Sequence, residues 1–242
     1  MPLQCGTQEK YSKIKSLSRS PEVKRETYDR YGRLIDSIIR LELPVISNAL
    51  VRRIYDRHFF DHANREKERS SRQVAEIIDH YFDFDSVLDI GCGMGLYLYE
   101  LSRLNKEVYG CDSSLDGIAM ASKEIFVFYA DATKPLIVNR DFDLVICFEV
   151  AEHIQKRYSG QLVQNCVKYG KRVLFTAAPK GQGGVGHINE QPTAFWVDLF
   201  GGMHYSLEEE RSNTVRDVMK RSGVVAWIAN NFMSFHRSNR DR

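Results

Sequence analysis

No stretch of this 242-residue chain approaches the roughly 18 consecutive apolar residues that a membrane-spanning helix requires, so no membrane association is expected. The lysine-bearing start, Met1 to Ser20, has no apolar centre of the kind a secretory leader carries, and none is expected. Cysteine is sparse and odd in number: Cys5, Cys92, Cys111, Cys147 and Cys166 show no metal-type spacing. Three of them fall in or beside runs that read as strands, where a buried free thiol is the ordinary outcome. A reducing, cytoplasmic setting is the expectation that follows. There is no internal repeat and no low-complexity block.

What charge there is lies unevenly. Residues 1–72 carry 16 Lys/Arg against 10 Asp/Glu, and residues 73–242 carry 18 against 22. The basic part has the sign to meet phosphates, although a solvated helical surface of mixed charge is the plainer reading. From Pro21 the pattern is helical, with Tyr31, Leu34, Ile35, Ile38 and Ile39 on one face. Pro44 interrupts it, and a second helix reads through Val45, Ile46, Ala49, Leu50 and Ile54. Tyr55 to His62 is aromatic and charged together, with Phe59 and Phe60 able to stack on a substrate or simply to pack. A helical extension over 1–70 and a separate domain over 71–242 are expected. A further helix reads through Val74, Ile77, Ile78 and Tyr81.

The period then changes. Short apolar runs (Val87–Ile90, Val108–Cys111, Ile125–Tyr129, Leu144–Phe148, Val173–Thr176) alternate with helical patterns, which predicts an α/β fold, a mostly parallel sheet with helices on both faces. Residues 192–200 and 212–221 read as helices. Met203–Leu207 and Asn231–Phe235 read as late strands.

The first run leads into Asp89-Ile90-Gly91-Cys92-Gly93-Met94-Gly95, a glycine-rich turn before a helical pattern (Leu96, Leu98, Leu101, Leu104). Glycines here allow a tight turn and a close approach of backbone to ligand. A phosphate-binding loop needs Gly-Lys-Ser/Thr, and Leu96 and Tyr97 exclude it. A dinucleotide fingerprint needs glycine at the sixth position, where Leu96 stands, so only a relaxed form survives, with Asp112 as its acid. The later runs also end in acids, at Asp112 and at Asp131. Acids at Asp89, Asp112 and Asp131 on three successive strand ends suit a cationic, donor-rich nucleoside such as S-adenosylmethionine and would repel a pyrophosphate. The plainer alternative is that they cap helices.

With Val87–Gly95, Tyr109–Ser114, Tyr129–Thr133 and Phe142–Ile154 in order, the chain resembles the class I S-adenosylmethionine-dependent methyltransferases over roughly residues 70–236. The resemblance implies a Rossmann-like seven-stranded sheet with its last strand antiparallel. It also implies a cofactor site in which Asp89, Gly91 and Gly93 hold the methionine part, Asp112 the ribose, and Asp131 with Ala132 the adenine, with Cys92, Ser113 and Phe148 also among the cofactor-binding residues. The segment Phe175 to Pro192 looks like a loop in a set of bacterial and phage-borne methyltransferase-domain proteins.

After the fourth run comes Glu149-Val150-Ala151-Glu152-His153. If helical, it places Glu149, Glu152 and His153 on one face. Loops after neighbouring strands share a rim of the sheet, so His187 is expected near His153. These residue types suit a divalent ion (Mg, Mn, Fe or Zn), acid–base work by His153, His187 and Glu152, or a structural role. The pattern resembles the Glu-x-x-Glu-His plus distant His of small-RNA 3′-terminal 2′-O-methyltransferases and the Glu-His pair of ubiquinone-pathway O-methyltransferases. By that resemblance Glu149, Glu152, His153 and His187 are metal ligands. The loop Lys180–Gly186, with four glycines in seven residues, reads either as a lid or as a plain connection. The expected activity is O-methylation of a small molecule (a sugar, a phenol or a natural-product intermediate). An RNA acceptor gripped by the basic N-terminal part, a non-catalytic cofactor-binding partner subunit, and a dinucleotide oxidoreductase are the alternatives.

Overall fold

The computed structural model describes residues 70–238. The extension helices, the Tyr55–His62 segment and Cys5 lie outside the described residues. Helix α1 covers 70–81. Then follow β1 (Ser86–Ile90), α2 (Leu96–Arg103), β2 (Glu107–Asp112), α3 (Leu115–Met120), β3 (Phe126–Tyr129) and β4 (Phe142–Cys147). Two single 3₁₀ turns, Ala151–His153 and Lys156–Tyr158, precede α4 (Ser159–Tyr169). The chain continues through β5 (Gly170–Phe175), α5 (Thr193–Gly202), β6 (Tyr205–Leu207), α6 (Glu209–Arg221), α7 (Ala226–Asn231) and β7 (Met233–Arg237).

Among the described residues, seven strands form one sheet in the order β3-β2-β1-β4-β5-β7-β6. Pairing is parallel from β3 through β5, and β7 runs antiparallel to both β5 and β6. The reason is legible residue by residue. Every residue of β1 is buried, as a central parallel strand covered on both faces must be. Along β4, Leu144 and Ile146 face one core with Val74, Ile78, Leu98 and Leu101 from α1 and α2, and with Val215 and Met219 from α6. Val145 and Cys147 face the other, with Leu162 and Cys166 from α4 and Trp196 and Phe200 from α5. This two-sided alternation follows from the period of two in a strand, and each fully buried Leu, Ile or Phe contributes about 1.5–3 kcal/mol. Cys111, Cys147 and Cys166 are buried free thiols, packed in that second core.

The late segment differs from expectation at the starts of its two strands: Met203 and His204 form a turn before β6 begins at Tyr205. Asn231 ends helix α7, and β7 begins only at Met233. The helix has six residues, too short for a 3.6-residue period to stand out from an apolar run. Among the described residues no helix is long and apolar enough to cross a membrane.

Candidate functional site

The carboxyl ends of β1, β2 and β3 lie side by side. Ile90 pairs with Cys111, and Asp112 with Tyr129. Strand order reverses at β1, which has β2 on one side and β4 on the other. This is the switch point where open α/β sheets leave a crevice for a ligand.

The turn after β1 is closed by the N–H groups of Gly91 and Cys92, which both donate to the Cys111 carbonyl at 2.7 and 3.1 Å. Gly91, Gly93 and Gly95 all have positive φ, between 56° and 82°. At Gly91 and Gly95 the crowding comes from the protein itself. A Cβ on Gly91 would collide with the Val150 side chain, and one on Gly95 with Ile125 Cδ1. The Cys92 side chain lies under the turn, close to where a Cβ on Gly110 would be, so it packs onto β2. Burial, with Asp89 and Asp112 nearby, pushes its thiol well above the ordinary range.

Asp112 organises this edge. Its Oδ2 accepts from the Gly93 N–H at 2.8 Å, and its Oδ1 from the Ser114 N–H at 2.7 Å. Ser114 then caps α3 by accepting from the Gly117 N–H. Asp131 uses Oδ1 on the N–H and hydroxyl of Thr133. Neither carboxylate caps a helix, since Ser114 caps α3 and only a turn follows Asp131; these local bonds fix the two acids at the strand ends. Ala132 offers its carbonyl to Asn165 Nδ2. Ser113 is exposed beside Asp112, and Asp89 is buried at the end of β1.

Phe148 is packed in the first core. It shares the strand parity of Leu144 and Ile146, and its ring lies in the core, edge-on to Tyr97 at 5.6 Å between centroids and 6.2 Å from Phe232.

The helical reading of Glu149–His153 is corrected. Glu149 has φ 58°, a left-handed conformation that breaks any helix there, and only Ala151–His153 makes a 3₁₀ turn. Glu149 is turned toward β5: its N–H donates to Thr176 Oγ1 at 2.8 Å, and that hydroxyl donates to Glu149 Oε1 at 2.9 Å. Burial first, and then the charges of Glu149 and Asp89, push the Tyr97 phenol upward. The structure thus separates Glu149 from the group it was expected to join.

The remaining three do meet. Glu152, His153 and His187 each offer a ligand atom, all within 4.8 Å of one another. Glu152 is fully buried. The two imidazoles stand edge to face with centroids 4.9 Å apart. Their loops are stitched together by main chain: the Glu152 carbonyl accepts from Ile188 and Asn189 N–H groups at 2.9 and 3.0 Å. The Asn189 amide donates to the Ala151 carbonyl and to Ser159 Oγ. His153 Nδ1 lies 3.1 Å from the Gly186 carbonyl, and His187 Nδ1 lies 3.1 Å from Glu190 Oε1. Burial alone would push the Glu190 carboxyl up, but hydrogen bonds from Gly181 N–H, His187 and Gly183 N–H hold it below its ordinary value. Trp196 is buried core, and Gln191 donates to Asn189. Thr176, Asn189 and the backbone links have no signal in the sequence, since each acts across a tertiary contact.

Residues 87–172 match the family model described as a methyltransferase domain. The ubiquinone biosynthesis O-methyltransferase of Alkalilimnicola ehrlichii is 34% identical over 126 residues, 48% of this chain and 46% of that protein. That of Bradyrhizobium diazoefficiens is 42% identical over 74 residues, 28% of this chain and 29% of that protein. The chain thus spans about half or less of the length of these relatives. Among solved structures, the magnesium protoporphyrin IX methyltransferase of Synechocystis PCC 6803 with bound SAH has a TM-score of 0.59 at 15% identity, covering 79% of this chain and 100% of that one. A TehB-like SAM-dependent methyltransferase of Corynebacterium glutamicum gives 0.51 at 19% identity, with 69% and 88% covered.

Proposed function

We propose that this chain, which belongs to the class I S-adenosylmethionine-dependent methyltransferases through the domain at residues 87–172 and through its fold, methylates an oxygen of a small-molecule acceptor. The carrying observation is the juxtaposition, on one sheet edge, of a carboxylate-lined glycine turn and the Glu152–His153–His187 cluster. The acidic ends of β1, β2 and β3 fit a cationic nucleoside: Asp89 and the Gly91–Gly93 backbone would hold its methionine part, Asp112 with Ser113 its ribose, and Asp131 with Ala132 its adenine. Such a cofactor supplies an already electrophilic methyl group. What the protein must add is orientation of an acceptor and removal of its proton.

The cluster on the β4 and β5 loops suits that second task. An imidazole of His153 or His187 takes the hydroxyl proton as the oxygen–carbon bond forms, and the buried Glu152 carboxylate favours the resulting positive charge. Oxygen as the acceptor atom is in keeping with the relatives named as O-methyltransferases. A second reading has its own observation. One carboxylate and two imidazoles within 4.8 Å are a plausible half-shell for a divalent ion. Glu152, His153 and His187 would hold such an ion, which lowers the pKa of a bound hydroxyl. Glu149, bonded to Thr176, stays outside this set.

The test is methyl transfer from labelled S-adenosylmethionine to a panel of catechols, phenols and sugars, run with and without a chelator. Label in an oxygen-linked product supports the reading; a folded chain that binds the cofactor and labels none of them, nor RNA, contradicts it. Label in RNA alone would move the acceptor to a polynucleotide.

A further inference from the structure

The glycine loop after β5 is not a loose connection. Both oxygens of Glu190 hold it: Oε2 accepts from the Gly181 N–H at 2.8 Å, and Oε1 from the Gly183 N–H at 2.6 Å. The same Oε1 lies 3.1 Å from His187 Nδ1. A carboxylate only accepts, so Nδ1 carries the proton in this contact. The loop lies directly against the ring it helps to fix. A Cβ on Gly184 would collide with the Nε2, Cε1 and Cδ2 edge of His187, and φ there is 155°. The loop's last glycine reaches the other imidazole: the Gly186 carbonyl faces His153 Nδ1 at 3.1 Å. From the far side, Asn231 Nδ2 donates to Gln182 Oε1 at 2.8 Å.

From this geometry we infer that Glu190 is a positioning residue that makes loop seating and histidine orientation one event. With the loop seated, Glu190 fixes the tautomer and ring plane of His187, as an outer carboxylate does for a functional imidazole. When the loop lifts, Gly181 and Gly183 leave the carboxylate, the Gly186 carbonyl leaves His153, and Gly184 uncovers the His187 ring. The loop is then a lid whose seating assembles the proton-handling pair. The inference rests on the proposed role of His153 and His187, but its test does not require turnover.

The test compares the full-length protein with E190Q and E190A by two measurements. Amide hydrogen exchange is read at Gly181 and Gly183, and long-range ¹H–¹⁵N correlation at the His187 imidazole. In the wild type both amides are protected and Nδ1 is the protonated nitrogen. In E190A both amides exchange about tenfold faster or more, and the fixed Nδ1–H signal is lost, while β4 and β5 amides are unchanged. E190Q keeps one acceptor oxygen and restores the Nδ1–H signal with partial amide protection. An unchanged imidazole in E190A overturns the inference. So does a loss of protection spread equally over β4 and β5, which would make Glu190 a general part of the fold. A failure of methyl transfer with these signals intact would sink the proposed function and leave the coupling standing.

Discussion

The imidazoles of His153 and His187 meet edge to face, 4.9 Å between ring centroids, although they lie 34 positions apart in the chain. They meet because β4 and β5 are parallel neighbours, which brings the loops after the two strands to the same end of the sheet. The contact is then locked by main-chain bonds from Ile188 and Asn189 to Glu152.

Removing either imidazole therefore tests proton handling apart from cofactor binding. H153A or H187A is expected to lower kcat for methyl transfer by about 10²–10⁴-fold, with cofactor affinity changed little. The double variant is expected to lose much less than the product of the two, since residues acting as a unit are non-additive. Steady-state kinetics with calorimetric cofactor binding checks both statements.

Gly91 is crowded by its own protein. G91A is expected to destabilise the fold by about 1–3 kcal/mol, from the clash with Val150 and from a positive φ of 82°. Trimming the partner in G91A/V150A removes the clash but not the backbone strain, so it recovers part of the loss relative to V150A alone. Urea denaturation of the four proteins measures the cycle.

Acid stability has a traceable source at Glu208. Burial would raise its carboxyl, but Arg172, Ser234 and the charge of Arg211 hold it below the ordinary glutamate value. A carboxyl lowered in the folded state contributes stability that is full above its unfolded value near pH 4.3 and is lost as pH falls through the folded value. E208Q is expected to be less stable than wild type at pH 7, and the difference is expected to shrink toward zero as the pH is taken below about 4. Denaturation midpoints from pH 7 down to pH 3 test the sign.

The strands were legible because β1, β4 and β5 are buried on both faces and read as continuous apolar runs. The acids at Asp89, Asp112 and Asp131 were legible because they lie at or just past the ends of the apolar runs that form β1, β2 and β3. Parity could have placed Phe148, since it continues the alternation of Leu144 and Ile146 into the core. The conformation of Glu149 could not be read. Its left-handed φ is held by Thr176, 27 positions away, and Glu-x-x-Glu-His carries the spacing of a helix face without being one. The Asp112 bond to Gly93 and the Glu190 clasp on the glycine loop also arise only once separate segments are packed.

Whether the acidic strand ends hold the cofactor is decided by isothermal titration of the full chain with S-adenosylmethionine, with D112A as its control. D112A removes the acceptor of the Gly93 and Ser114 N–H groups together with the expected diol partner. Saturable one-site binding in the micromolar to sub-millimolar range is expected, weakened about tenfold or more in D112A. A folded wild-type chain that gives no binding heat at several temperatures with either S-adenosylmethionine or S-adenosylhomocysteine, or one whose affinity is untouched in folded D112A, would contradict this expectation.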